Sequence, residues 1–400
     1  MGLIEVDAAP SRASVLRVAV PAEVMAGERR VAVVPKQVAV LKRAGAEVLV
    51  GAGAGQGAGV GDGAYTAAGA RVVTTPKRLL AEADLVLKIQ PPGELAGGVH
   101  EIDLMAPGTV LVGLFNAPAN ASLLQRMAQR GLTALTLDAL PRTTRAQEMD
   151  VLSSMSTIAG YHAVLEAAVR LPRFFPLLMT AAGTVAPASV LVLGAGVAGL
   201  QAIATARRLG AVVAAFDVRA AVREQVESLG ARFVDVGPAP DAEAAGGYAA
   251  ALSADEEARV RAALAPHVAD ADVVVTTALV PGRDAPLLIT REMVEAMRPG
   301  SVVIDLAAEA GGNCAVTVPG EDVVVGGVTV RGPLNVPSAM AADASQLYSQ
   351  NITRFALNLL HDGRLRIDLD DDIVSATCVV HEGEVRGISP AVAPAAAEGS

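Results

Sequence analysis

The chain has 400 residues, 52% of them hydrophobic and only 2% aromatic, with no Trp and a formal net charge of −10. That length allows two or three domains with a large core. The acidic balance and the shortage of rings exclude a nucleic-acid binder, which needs a basic footprint and stacking platforms. Cys314 and Cys378 stand far apart, so neither a disulfide framework nor a zinc spacing is expected, and a reducing cytosol suits the chain. The first residues lack a charged region followed by an apolar core, so no secretory signal is expected.

The elements alternate from the start. "VLRVAV" predicts a strand over Val15 to Val20, and "KQVAVLKRA" a helix over Lys36 to Ala44 with a turn at Gly45 before the next strand. Further strands are expected around Arg71 and Leu85 and at "GTVLVGLF". A helix over Ala119 to Arg130 and the strand "LTALTLD" complete the first series. A long helix follows over Asp150 to Val169. A second series then begins at "SVLVLGAGVAGL" and continues through "AVVAAFDV", "ARFVDV", "ADVVVTTALV", "GSVVIDLA" and "VVVGGVTVRG". Another long helix covers Ala341 to Leu360.

Strands alternating with helices argue for parallel sheets. The expected fold is therefore α/β, with two Rossmann-like doubly wound parallel-sheet domains. The second is inserted into the first and joined by the long helices: 1–152 plus 340–390 for the first domain, 153–339 for the second, and a disordered Pro/Ala-rich tail over 391–400. From Phe174 to Ala206 no charged residue occurs, a length that could cross a bilayer. Pro176, Gly183 and Pro187 interrupt it, and a buried strand and helix account for it instead, so no membrane span is expected.

Gly194, Gly196 and Gly199 form G-x-G-x-x-G after an apolar strand and before a helix, and Asp217 ends the next strand. In that context the glycines permit a tight turn, backbone approach to a pyrophosphate and close helix–strand packing. The loop Gly194, Ala195, Gly196, Val197, Ala198 and Gly199 is thus a candidate dinucleotide site. Asp217 would take the adenine ribose hydroxyls and favour NAD over NADP. Arg219 could soften that preference, although such an Arg more often faces the adenine side or solvent. A second glycine cluster, "GAGAGQGAGVGDGAY" from Gly51, lacks the Lys-Ser/Thr of a phosphate loop and reads as a flexible connection.

The stretch "PRTTRAQEMDVLSSMSTIAGY" places Arg142, Arg145, Gln147, Asp150, Ser153 and Ser154 together with no His, Cys or metal-ligand pair. If Gln147 to Ser154 begin a helix, their three- and four-residue steps put Gln147, Asp150, Ser153 and Ser154 on neighbouring faces. Two readings stand. The cluster can bind a carboxamide and ribose and orient two nicotinamides for hydride transfer without a proton-transfer group, or it is a helix N-terminus with ordinary caps.

"RAQEMDVLSSMSTIAGY", "VLGAGVAGLQAIATARRLGA", "FDVR", "EQVESLGARF", "TTALVPGRDAP", "GSVVIDLAAEAGGNC" and "VPSAMAADASQLYSQN" together resemble the NAD(H)-binding alpha subunit of proton-translocating NAD(P) transhydrogenase, from about Val18 to Leu360. The resemblance implies two Rossmann-like domains with NAD(H) in the cleft between them, and a homodimer. It implies nicotinamide contacts from Arg142, Gln147, Asp150 and Ser153, and nucleotide contacts from Val218, Arg219, Thr277, Ala278 and Leu279. Tyr248 matches a mobile-loop tyrosine that closes over nucleotide, and it also reads as an ordinary loop aromatic. The chain further resembles the split form of the enzyme. A separate small membrane alpha-2 subunit and a beta subunit carrying NADP(H) and the proton channel would then complete the complex at the cytoplasmic face of the membrane.

Alanine dehydrogenase shares many of these motifs. Its substrate-binding Arg and Lys match Arg30 and Lys88, but the strand end that should bear its histidine reads Leu114 and Phe115, and Glu309 stands where its catalytic aspartate is expected. Arg30 and Lys88 are therefore also read as structural residues paired with carboxylates.

Overall fold

The computed structural model describes residues 15–236, 253–280, 284–361 and 363–387. The chain divides into two compact units, one of residues up to Met149 together with Tyr348–Gly387, the other running over Asp150–Leu347.

In the first unit, β1 (Arg17–Val20), β2 (Glu47–Gly51), β3 (Arg71–Val73), β4 (Leu85–Leu87), β5 (Val110–Gly113) and β6 (Thr133–Thr136) are mutually parallel, in the order β6-β5-β4-β1-β2-β3. Cys378–His381 adds to β6 antiparallel and pairs with Glu384–Val385, closing that edge. The strand order reverses between β1 and β4, which makes the carboxyl ends of these two strands the crevice of the sheet. The glycine cluster after β2 is packed rather than a flexible connection. It forms a 3-10 turn at Gln56–Ala58 and a helix at Asp62–Ala67. Tyr65, fully buried, donates its hydroxyl to Val33 O at 2.9 Å, and Asp62 Oδ1 accepts from Gly53 N at 2.8 Å. A buried ring with a satisfied hydroxyl fixes what the glycines alone leave loose.

In the second unit a hairpin of β7 (Leu178–Thr180) and β8 (Gly183–Val185) precedes β9 (Ser189–Leu193). The main sheet continues with β10 (Val212–Phe216), β11 (Arg232–Phe233), β12 (Val273–Thr276), β13 (Val302–Asp305), β14 (Asp322–Val325) and β15 (Val328–Arg331). Its order is β11-β10-β9-β12-β13-β15-β14, parallel except for β14. Alternation along β9 explains why its sequence is apolar throughout. Val190 and Val192 enter one core with Val213, Val273 and Ile304, while Leu191 and Leu193 enter the other with Val274, Val303 and Val330. Both faces are covered, as a doubly wound sheet requires, and each such side chain contributes roughly 1.5–3 kcal/mol.

The helix Val151–Arg170 packs on the helix Val197–Arg208 over one of these faces. The uncharged run is thus only partly a buried strand and helix. Its first part is the hairpin, where Phe174, Leu177 and Met179 are exposed. Among the described residues, no helix is long and apolar enough to cross a membrane.

Candidate functional site

The glycine loop leaves β9 at its carboxyl end, beside β12, where the strand order of the second sheet reverses. Gly194 adopts φ +98°, a turn that a side chain would strain. At Gly199 an added Cβ would stand 1.8 Å from Gly194 O, so helix and strand close up only because it is absent. Gly196 is different. A Cβ there would meet no protein atom within 4 Å, so the space ahead of the helix Val197–Arg208 is open. That space faces the first N–H groups of a twelve-residue helix, where an anion is favoured by the free donors and the dipole. A dinucleotide pyrophosphate fits it.

Asp217 follows β10 directly and is buried, with its Oδ2 accepting from Ala195 N at 2.7 Å. It thereby ties the ribose position to the glycine loop. Arg219 turns back rather than facing solvent. Its backbone N and Nε each donate to Asp217 Oδ1 at 2.9 Å, and its Nη2 donates to Oδ2 at 2.8 Å. From β12, Thr277 donates its hydroxyl to Gly194 O at 3.0 Å. Ala278 is half-buried and Leu279 exposed beyond it. Val197 is exposed, whereas Ala198 and Val218 are half-buried.

Two residues that the motif reading passed over hold this edge in place. Asn313, fully buried, accepts from Ala278 N at 3.0 Å and donates to Ala278 O at 2.9 Å and Pro286 O at 2.8 Å. Asp305, at the end of β13, accepts from Thr276 Oγ1, Ala307 N, Asn313 N, Cys314 N and Thr317 Oγ1. An Asp ending an otherwise apolar strand, followed by "GGNC", was the available signal. Burial pushes the Cys314 thiol up to about 11, so it stays protonated near neutral pH and is no nucleophile.

The polar stretch does not form one helix. Gln147–Met149 is a separate 3-10 turn with Gln147 exposed, and the helix begins at Val151 with Asp150 as its N-cap. Gln147 therefore does not continue the helical phase of Asp150 and Ser153. Asp150 and Ser153 do meet: Ser153 N donates to Oδ1 at 2.9 Å and Ser153 Oγ to Oδ2 at 2.5 Å. This is a cap in good order, and it leaves the carboxylate and hydroxyl at a half-buried surface. Arg142 is exposed, while Arg145 forks onto Asp371 at 2.5 and 2.8 Å, fastening its own turn. Tyr248 lies outside the described residues, as does the tail over 391–400.

Arg30 and Lys88 are both buried and both paired. Arg30 Nη2 donates to Glu28 Oε2 at 2.5 Å; Lys88 Nζ lies 3.0 Å from Glu101 Oε1 and 3.3 Å from Glu23 Oε2. Burial works to lower the Lys88 ammonium, and the two carboxylates outweigh it, so it stays charged. Glu23, the farther carboxylate, is pushed up by burial. Burial also raises Glu28, but the hydrogen bonds and charge of Arg30, with the amide of Gln90, hold it at about 2. At the strand end in question Phe115 is fully buried, and its N–H donates to Thr136 Oγ1 at 3.0 Å. Glu309 accepts from Asn335 N at 2.6 Å. Among the described residues, no group of three or more His, Cys, Asp or Glu could hold a metal ion.

Comparison with known proteins follows the same division. The family model "Alanine dehydrogenase/PNT, N-terminal domain" matches residues 19–159, and "Alanine dehydrogenase/PNT, C-terminal domain" matches 163–387. An NAD(P) transhydrogenase alpha subunit of Rhodospirillum rubrum is 47% identical over 374 residues, covering 92% of this chain and 97% of that protein. The crystal structure of transhydrogenase from Sinorhizobium meliloti superposes with a TM-score of 0.83 at 44% identity, covering 92% of this chain and all of that one. Alanine dehydrogenase of Halomonas elongata is 31% identical over 377 residues, covering 92% and 94%.

Proposed function

The chain belongs to the alanine dehydrogenase/PNT family, and from that premise we propose that it is the NAD(H)-binding subunit of a proton-translocating NAD(P) transhydrogenase. Hydride passes directly between NAD(H) held here and NADP(H) held by a beta subunit, and membrane partners couple the exchange to proton movement. When bound, the nicotinamide ring supplies the hydride chemistry. The residues of this chain bind and aim it. The open helix N-terminus behind Gly194–Gly199 takes the pyrophosphate, and Asp217 takes the adenine ribose. Asp150 and Ser153, with Arg142, fix the carboxamide, and Gln147 reaches toward the partner nucleotide. No side chain in this set is asked to carry a proton during the transfer, so the work is orientation and exclusion of water.

The observation that carries this reading is the glycine loop joined to Asp217 through Ala195 N, on a chain 47% identical to a transhydrogenase alpha subunit. Over alanine dehydrogenase it is favoured by Arg30 and Lys88. Both cations are saturated by internal carboxylates, where an oxo-acid substrate would need them.

The hairpin of β7 and β8, with Leu177 and Met179 more than half exposed, supports a homodimer, since an apolar edge of this kind asks for a cover. The small alpha-2 subunit and the beta subunit would hold the dimer at the cytoplasmic face of the membrane.

The test mixes the purified chain with the soluble NADP(H)-binding domain of a beta subunit and follows hydride exchange between reduced NAD and an oxidised NADP analogue. Exchange that needs both proteins is expected. Turnover of L-alanine by the chain alone would replace this reading with alanine dehydrogenase. Nucleotide binding with neither activity would leave a binding module.

A further inference from the structure

The Asp217 carboxylate has no hydrogen-bonding capacity left for a ribose. Its Oδ1 accepts from Arg219 N and Arg219 Nε, and its Oδ2 from Ala195 N and Arg219 Nη2. A carboxylate offers roughly four lone-pair positions, and these donors take them. The Nε/Nη2 fork is the strong, planar way for an arginine to bind an acid, and here the two side chains are only 15% and 6% exposed. Ribose hydroxyls must donate into this same carboxylate, so the fork has to lift off before they can. The guanidinium, tethered two residues away on the same strand end, then remains beside the 2′ position.

Resting on the NAD(H)-binding reading above, we infer that Arg219 is the residue that sets nucleotide selectivity: it competes with the ribose for Asp217, and once displaced it offsets the repulsion between Asp217 and a 2′-phosphate. The discrimination against NADPH is therefore weaker than Asp217 alone would impose. The acid rejects the phosphate, the arginine shields it, and the two are wired to each other in the empty site.

The experiment measures dissociation constants of the full chain for NADH and for NADPH by isothermal titration, in the wild type and in Arg219→Gln, Arg219→Lys, Asp217→Asn and the double variant Asp217→Asn/Arg219→Gln. Thermal melts without nucleotide confirm folding. In Arg219→Gln the ratio of the NADPH to the NADH constant should widen about tenfold, through weaker NADPH and unchanged or tighter NADH. In Asp217→Asn it should narrow about tenfold, and the double variant should lose the NADPH affinity that the single change gained. Arg219→Lys, which keeps the charge without the fork, should keep the ratio near wild type while tightening NADH. If Arg219→Gln leaves the ratio unchanged, or weakens both nucleotides equally, the selectivity role falls while NAD(H) binding stands. A wild-type chain that binds neither nucleotide overturns the parent reading and this one with it.

Discussion

The two sheets reverse their strand order at equivalent places, between β1 and β4 in one and between β9 and β12 in the other, yet the chain treats the two crevices in opposite ways. After β9 come Gly194 to Gly199, an open space ahead of Gly196, and a helix whose first N–H groups face it. After β1 comes Glu23, whose carboxylate accepts from Ile89 N at 2.7 Å and Gln90 N at 3.2 Å and stands 3.3 Å from Lys88 at the end of β4. Glu28, Arg30 and Glu101 complete the filling. The following helix starts with Pro35, which has no N–H to offer a ligand. Topology provides two candidate crevices. One is plugged by side chains, and the other is kept clear by glycine.

The hardest test of that contrast is to pull the plug. Lys88→Met leaves Glu23 and Glu101 buried without their cation, and breaking a buried pair in this way costs about 3–5 kcal/mol. Urea unfolding should show it, and a loss under about 1 kcal/mol would mean that water reaches the crevice. Acid comes next. Glu28 falls from an ordinary 4.5 to about 2 in the folded chain. Its contribution is therefore complete above the unfolded value and lost as pH drops through the folded one, about 3 kcal/mol across that window. Glu28→Gln should flatten that part of the stability curve. Glu23, raised by burial, acts in the opposite sense, and its contribution fades as pH rises.

On the open side, Gly196→Ala should leave the melting temperature within about 2 °C and weaken NADH binding about tenfold or more by titration. A large drop in stability instead would mean that the space belongs to the fold. Smallest of all, Ser153→Ala removes one of two bonds to the cap carboxylate. It should cost about 0.5–1.5 kcal/mol of stability while slowing exchange with the partner domain by a larger factor.

The open crevice was legible in the sequence because its signal is local. Three glycines at fixed spacing, an apolar run before them and an acid at the end of the next strand all lie close together along the chain. The plug was half legible. Arg30 and Lys88 were expected to pair with carboxylates, but Glu23, Glu28 and Glu101 are brought to them by strand order, which no window along the chain contains.

Phase errors have the same origin. Gln147 lies three residues before Asp150, a spacing that fits a helix, and the structure breaks the helix there because Asp150 turns its side chain to cap it. The glycine cluster from Gly51 looked loose because its clamp, Tyr65 on Val33 O, spans 32 residues. The uncharged run was expected to be buried throughout, and hydropathy alone could not say that its first part is an exposed hairpin. Arg219 illustrates the finest grain: its presence beside Asp217 was plain, and the direction of its guanidinium was not.

Asn313 gives the open crevice a chemical vulnerability. Its amide grips both the N–H and the carbonyl of Ala278, and its own N–H rests on Asp305. No other side chain of that length carries a donor and an acceptor together. Hydrolysis of that single amide, the ordinary ageing reaction of asparagine, would set a negative charge against a buried acid and two carbonyl oxygens. The wall beside the nucleotide would come unlatched with no change in the glycine loop. Full burial keeps solvent from the bond, so the service life of the site is guarded by the same packing that shapes it.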